Sequence, residues 1–221
     1  MRAISAIRCS AVVFDLDGTL VDSFPGIEAS LRQAVMAVDP TLDLAGLREA
    51  VGPPLAIMIA RLWPEATEEV RRAVLDAFRS EYNTRGFLAT VPYAGVPELL
   101  CRLQVAEKDL YVLTNKPKIP TLQILKHLGL DGFFCDILSP DSVSPSLATK
   151  SDGAHLLVKR HSLIPSRTLM VGDSHDDLKA AESVGFHFLE AAYGYGSIDE
   201  NVTTVRRLRL KTPSDLAKVV T

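Results

Sequence analysis

The chain has 221 residues, 47% of them hydrophobic and 23% charged, with a formal net charge of −3. That composition is ordinary for a globular protein and sets it apart from disordered or fibrous chains. With no long basic run and no apolar segment of membrane-spanning or signal-peptide length, the sequence speaks against nucleic-acid partners and against a membrane.

The first element in chain order is a short apolar run over residues 11–16, which reads as a buried strand. Residues 21–90 carry no convincing strand. Helical patterns run over 26–38, 44–51, 55–62 and 67–82, broken at Asp39-Pro40, Gly52-Pro53-Pro54 and Trp63-Pro64. Further β-favouring runs follow at 109–114, 133–138, 167–172 and 185–189. Between them lie helical stripes: Leu99, Leu100 and Leu103; Leu122, Leu125 and Leu128; Leu156 and Leu157; and residues 178–184. Strands alternating with helices predict an α/β fold with a covered parallel sheet. The division expected is a core of residues 1–20 and 91–221, with an inserted helical cap over 21–90 placed to act as a lid. Cys9, Cys101 and Cys135 are scattered and odd in number, which favours reduced thiols and a cytoplasmic protein. The basic cluster Arg206, Arg207, Arg209 and Lys211 reads as a solvated segment.

Four constellations fall at predicted strand ends. Asp15 and Asp17, one residue apart, would point to one side of an extended chain, and like charges that close call for a divalent cation. Gly18 permits a sharp turn and Thr19 adds a hydroxyl. Thr114 and Asn115 end the second strand with donors suited to a phosphoryl oxygen. Lys150 is a lone cation entering a helix. Met170 to Asp177 run from a strand through a glycine turn into an acidic loop. In one sheet these ends converge on a crevice holding carboxylates for a metal and donors for an anion.

This set resembles the haloacid dehalogenase-like hydrolases, a superfamily with a Rossmann-like core, and among them the phosphoglycolate phosphatase type with a small helical cap. Asp15 to Leu20 match the first motif as DLDGTL, Thr114 the second, Lys150 the third, and Gly172-Asp173-Ser174 with Asp177 the fourth. Val51 to Leu55, Pro92 to Val96 and Tyr193-Gly194-Tyr195-Gly196 look like that type as well. The resemblance implies that Asp15 attacks the phosphoryl group and carries it as an aspartyl phosphate, with Asp17 as acid and base. It implies Mg²⁺ held by the Asp15 carboxylate, the Asp17 carbonyl and Asp173, with Asp177 ligating directly or through water. Gly18, Thr114, the Asn115 N–H and Lys150 would bind the phosphoryl oxygens. The implied substrate is a small phosphorylated metabolite, phosphoglycolate-like, turned over by a cytoplasmic monomer or homodimer.

Plainer readings stand beside these. Asp173 and Asp177 also suit a helix N-terminus, and Lys116 and Lys118 rival Lys150 for the third motif, although many relatives follow that lysine with proline and here Ser151 stands. His175 and Asp176 read as solvent-facing, His155 and His161 as structural, and Trp63 as a packing residue at a helix end. Arg61 and Arg85 read as surface arginines. The alternative functions are a phosphomutase of the same superfamily and, from another class, a non-enzymatic phospho-acceptor or binding module. A dehalogenase would dispense with Asp17, and a phosphonate hydrolase would need a cap lysine, which residues 21–90 lack.

Overall fold

The structure is a computed structural model that describes residues 7–196, 198, 208–218 and 220. Strand β1 (Ala11–Phe14) is wholly buried, as its β-branched and aromatic composition favours for a strand covered on both faces. It lies inside a six-stranded sheet of order β5-β4-β1-β6-β7-β8, formed with β4 (Asp109–Leu113), β5 (Asp136–Leu138), β6 (Thr168–Gly172), β7 (His187–Ala191) and β8 (Leu208–Leu210). Each neighbouring pair is parallel.

Side chains alternate across this sheet with the period of two that strands impose. Val12, Phe14, Val112 and Val171 face one hydrophobic cluster, shared with α5 (Val96–Val105) and α6 (Lys118–His127). Val13, Tyr111, Leu113 and Met170 face another, shared with α7 (Lys150–His161) and α8 (His175–Val184). Phe14 is in register with Val112 and Val171, so Asp15, Thr114 and Asp173 all follow at the carboxyl edge of the three central strands. That alignment gathers the chemistry.

After β1 the chain turns back, with Leu20 N and Val21 N both donating to Leu16 O at 2.9 and 3.0 Å. It then passes through β2 (Val21–Asp22) into four helices: α1 (Phe24–Val38), α2 (Leu47–Ala50), α3 (Leu55–Leu62) and α4 (Glu68–Thr84). It returns by β3 (Val91–Pro92), antiparallel to β2. Leu31, Val35, Val74, Phe78 and Tyr82 are buried in the helical segment and continuous with the first cluster.

The structure departs from the sequence reading at several places. The second helix spans four residues rather than 44–51, because Gly46 enters it at a φ of 76°. Phe133 and Phe134 pack from a 3₁₀ turn at Asp131–Phe133 and the residue after it, and the strand starts only at Asp136. β7 begins at His187 because Gly185 closes α8 in the left-handed conformation, with a φ of 77°. The β2–β3 ribbon and β8 are too short or too charged to stand out as apolar runs. Arg206 and Arg207 lie outside the described residues, while Arg209 sits in β8 with its Nε 3.2 Å from Glu190 Oε1. Among the described residues no helix is long and apolar enough to cross a membrane. Cys9 is buried, Cys101 and Cys135 are exposed, and all three are free.

Candidate active site

Asp15 continues the strand ladder, its N–H donating to Val171 O at 2.9 Å, and its side chain is buried. Lys150 Nζ donates to Asp15 Oδ1 at 2.5 Å and stands 2.5 Å from Asp177 Oδ1. Lys150 is the first residue of α7, a helix opened by a Thr149–Asp152 capping box. A cation is disfavoured at a helix N-terminus, so the facing carboxylates account for its place. Burial pushes the Lys150 ammonium toward losing its proton, but Asp15 and then Asp177 outweigh this and hold its pKa above the ordinary lysine value. Asp15 moves up too: burial raises it, Lys150 opposes, and Asp177 and Asp173 add to the rise.

Asp173 follows β6 and is buried. Burial, then repulsion from Asp177, pushes its carboxyl up to about 7, against the Gly196 N–H, which donates to its Oδ2 at 2.8 Å. Asp177 does two jobs. Its Oδ2 accepts from Ser174 N and Oγ at 2.9 and 2.5 Å, closing the α8 capping box. Its Oδ1 is buried and accepts no hydrogen bond of proper geometry among the described residues, so the Lys150 contact there is an ion pair only.

Three glycines, Gly18, Gly194 and Gly196, allow this crowding. Gly18 has a φ of +85°, and a Cβ there would lie 1.9 Å from Asp173 Oδ2. A Cβ on Gly196 would lie 2.5 Å from Asp173 O. The Tyr193–Gly196 loop therefore closes over Asp173, pinned by the Tyr193 hydroxyl donating to Thr19 O at 2.9 Å.

Asp17 does not join the other carboxylates, contrary to the expectation of a shared side with Asp15. The chain bends at Leu16, and the Asp17 carboxylate turns to Lys116, whose Nζ donates to both oxygens at 3.0 and 3.1 Å. Ser23 Oγ donates to Asp17 Oδ1 at 2.5 Å and lies 3.0 Å from the Tyr195 hydroxyl. Lys116 also stands 4.7 Å from the ring centroid of Tyr82 on α4. Burial lowers the Lys116 pKa, and Asp17 then Tyr82 more than reverse this, so it too ends above the ordinary lysine value. The two lysines thus divide the site: Lys150 serves Asp15 and Asp177, and Lys116 serves Asp17.

Thr114 is buried and borders the same cavity, its Oγ1 accepting from Lys116 N at 3.1 Å. The Asn115 side chain donates to Asp176 Oδ2 at 3.1 Å, so Asp176 is half-buried and partnered rather than solvent-facing. Thr19 is buried away from the cavity, and its Oγ1 has no hydrogen-bond partner among the described residues. His155 is exposed, His161 pairs with Asp136 at 2.9 Å, and Trp63 is buried with Nε1 donating to Asp43 O at 2.6 Å. Sequence reasoning missed Lys116 as the partner of Asp17, and with it Ser23, Tyr82 and Tyr195. The available signal was the position of Lys116 two residues past the strand-end threonine.

Asp15, Asp173 and Asp177 present oxygens within 4.8 Å of one another. With all four aspartates ionised against two lysines, two negative charges are in excess. A divalent cation fits that excess and the raised carboxyl pKa values of Asp15 and Asp173.

Residues 12–191 match the family of haloacid dehalogenase-like hydrolases, and the chain belongs to it. It is an enzyme of the hydrolase class that this family defines. Among its relatives, the phosphoglycolate phosphatase of Vibrio vulnificus is 33% identical over 192 residues, covering 83% of this chain and 84% of that one. The tyrosine-protein kinase PtkA of Mycobacterium tuberculosis is 35% identical over 202 residues, covering 88% and 67% respectively. A solved haloacid dehalogenase-like family hydrolase from Streptococcus pneumoniae superposes with a TM-score of 0.84 at 25% identity, over 96% of this chain and 98% of that one.

Proposed function

We propose that this protein is a Mg²⁺-dependent phosphatase that hydrolyses a small phosphomonoester, and the likeness to the Vibrio enzyme puts phosphoglycolate-like esters among the candidates. The observation that carries this reading is the convergence of Asp15, Asp173, Asp177 and Lys150 beside Thr114, with net negative charge, at the edge of one cavity. Asp15 attacks phosphorus, the bond to the ester oxygen breaks, and an aspartyl phosphate forms. Asp17 gives a proton to the leaving oxygen and then takes one from the water that attacks the intermediate. Thr114, the Asn115 N–H and Lys150 bind the phosphoryl oxygens and offset the charge that develops there. The Asp15 carboxylate, the Asp17 carbonyl and Asp173, with Asp177 beside them, would hold the metal, which supplies positive charge to the phosphoryl oxygens.

In this reading residues 21–90 form a cap domain over a core of 1–20 and 91–221, and the enzyme is cytoplasmic, a monomer or homodimer. The test is phosphate release from a panel of small esters, with Mg²⁺ and with chelator, using Asp15→Asn as control. Many turnovers that need both the metal and Asp15 are expected. A single stable labelling per chain would instead make the protein a phospho-acceptor, and phosphoryl return to a sugar would make it a mutase.

A further inference from the structure

The cavity beyond the strand ends has a volume of about 430 Å³, inside the range of about 300–1,000 Å³ in which proteins enclose ligands well beyond two carbons. Its far wall is supplied by the helical segment and is mostly apolar, with Val51, Pro54, Leu55, Met58, Phe78 and Tyr82 beside Arg79 and Asn83. The Phe78 and Tyr82 rings stack with centroids 5.2 Å apart and planes 13° from parallel, so part of this wall is aromatic.

A carboxylate on the alcohol half of the ester needs a cation, and among the described residues the cavity offers no buried cation without a carboxylate partner. Lys116 is held by both Asp17 oxygens. Arg79 lines the rim with its side chain 55% exposed, so an ion pair there is made in solvent and contributes little. Asp141, on the opposite side, adds a negative charge of its own. Burying a carboxylate against such a surface forfeits its hydration with no ion pair in return.

We infer that the preferred substrate is a phosphomonoester whose alcohol carries an apolar ring, not a short carboxylate. This rests on the phosphatase reading and chooses among its candidate esters. The phosphate takes the strand-end site and the ring takes the wall of α3 and α4. Leu55, half-buried at the start of α3, is the specificity residue that makes the wall apolar there.

The test compares kcat/KM for benzyl phosphate, ethyl phosphate and phosphoglycolate. All three leave as aliphatic alcohols, so ring binding rather than phenol reactivity decides the order. Benzyl phosphate should lead both others by roughly tenfold or more, the scale set by burying one ring. Leu55→Arg should reverse the order between benzyl phosphate and phosphoglycolate by supplying the missing cation. Equal or better use of phosphoglycolate or ethyl phosphate by the wild-type enzyme overturns the inference and leaves the phosphatase reading standing. Release of phosphate from none of a broad panel, with folding intact, overturns that reading and the inference with it.

Discussion

The two walls of the cavity rest on different physics. On the sheet side every functional group is charged or polar and mostly buried, and each is fixed by a partner: Asp15 by Lys150, Asp17 by Lys116, Asp173 by Gly196. On the helical side the lining is mostly apolar, and packing rather than buried ion pairing sets it. A buried charge cannot be exchanged without stranding its partner, whereas apolar groups of similar volume replace one another at modest cost. Changes on the sheet side should therefore be nearly all-or-none, and changes on the helical side graded.

The largest effect should come from Asp15→Asn. Removing the nucleophile should cut kcat by about 10³-fold or more, while circular dichroism shows the fold retained, since the amide keeps the volume and Lys150 keeps Asp177 as its counter-ion. Phosphate release near the wild-type rate by purified variant would refute the covalent assignment. Next is Lys150→Ala, which leaves Asp15, Asp173 and Asp177 facing one another with the shared cation gone. In chelator this should cost about 3–5 kcal/mol of stability in urea unfolding, and saturating Mg²⁺ should restore part of it by binding the folded state. A loss that Mg²⁺ leaves untouched would count against a metal among these carboxylates.

That contrast also explains what the sequence discloses. The central strands are legible because Val12–Phe14, Leu110–Leu113 and Leu169–Val171 are unbroken apolar runs, buried on both faces, and the charged residues after them stand out against that background. The helices of the inserted segment are legible from periodicity and proline breaks. Pairings are not. Which lysine meets which aspartate depends on the bend at Leu16, which takes Asp17 out of line with Asp15, and period-two reasoning holds only while the chain stays extended. The ribbon of Val21–Asp22 with Val91–Pro92 escapes notice because its two halves are two residues each and some seventy apart in sequence.

A smaller effect sharpens the sheet side through pH. Burial and Asp177 hold the Asp173 carboxyl at about 7 in the folded chain, against about 3.9 for an exposed aspartate. Because folding raises this pKa, the metal-free folded state binds more protons than the unfolded chain across that window. The contribution to stability is full below about pH 4 and is lost as pH rises through about 7. Thermal melts in chelator should show Tm falling over that interval, and the slope should be shallower in Asp173→Asn, which cannot titrate. An identical slope in the two proteins would remove Asp173 as its source.

The smallest effect belongs to the helical side and tests whether it is as tolerant as its physics implies. Thr67 caps α4, its Oγ1 accepting from Val70 N at 3.3 Å ahead of Glu68 and Glu69 in the first turn. Thr67→Ala leaves that N–H to water and removes one side-chain cap, a loss of about 1 kcal/mol. For a chain of this length the melting temperature should fall by about 2–4 °C. The hydroxyl lies outside the cavity lining, so phosphate release below the transition should keep the wild-type kcat and KM. A fall in kcat without a matching loss of stability would mean that the seating of α4 feeds directly into the strand-end chemistry. The contact able to carry it is the approach of Lys116 to the Tyr82 ring, and the two walls would then act as one.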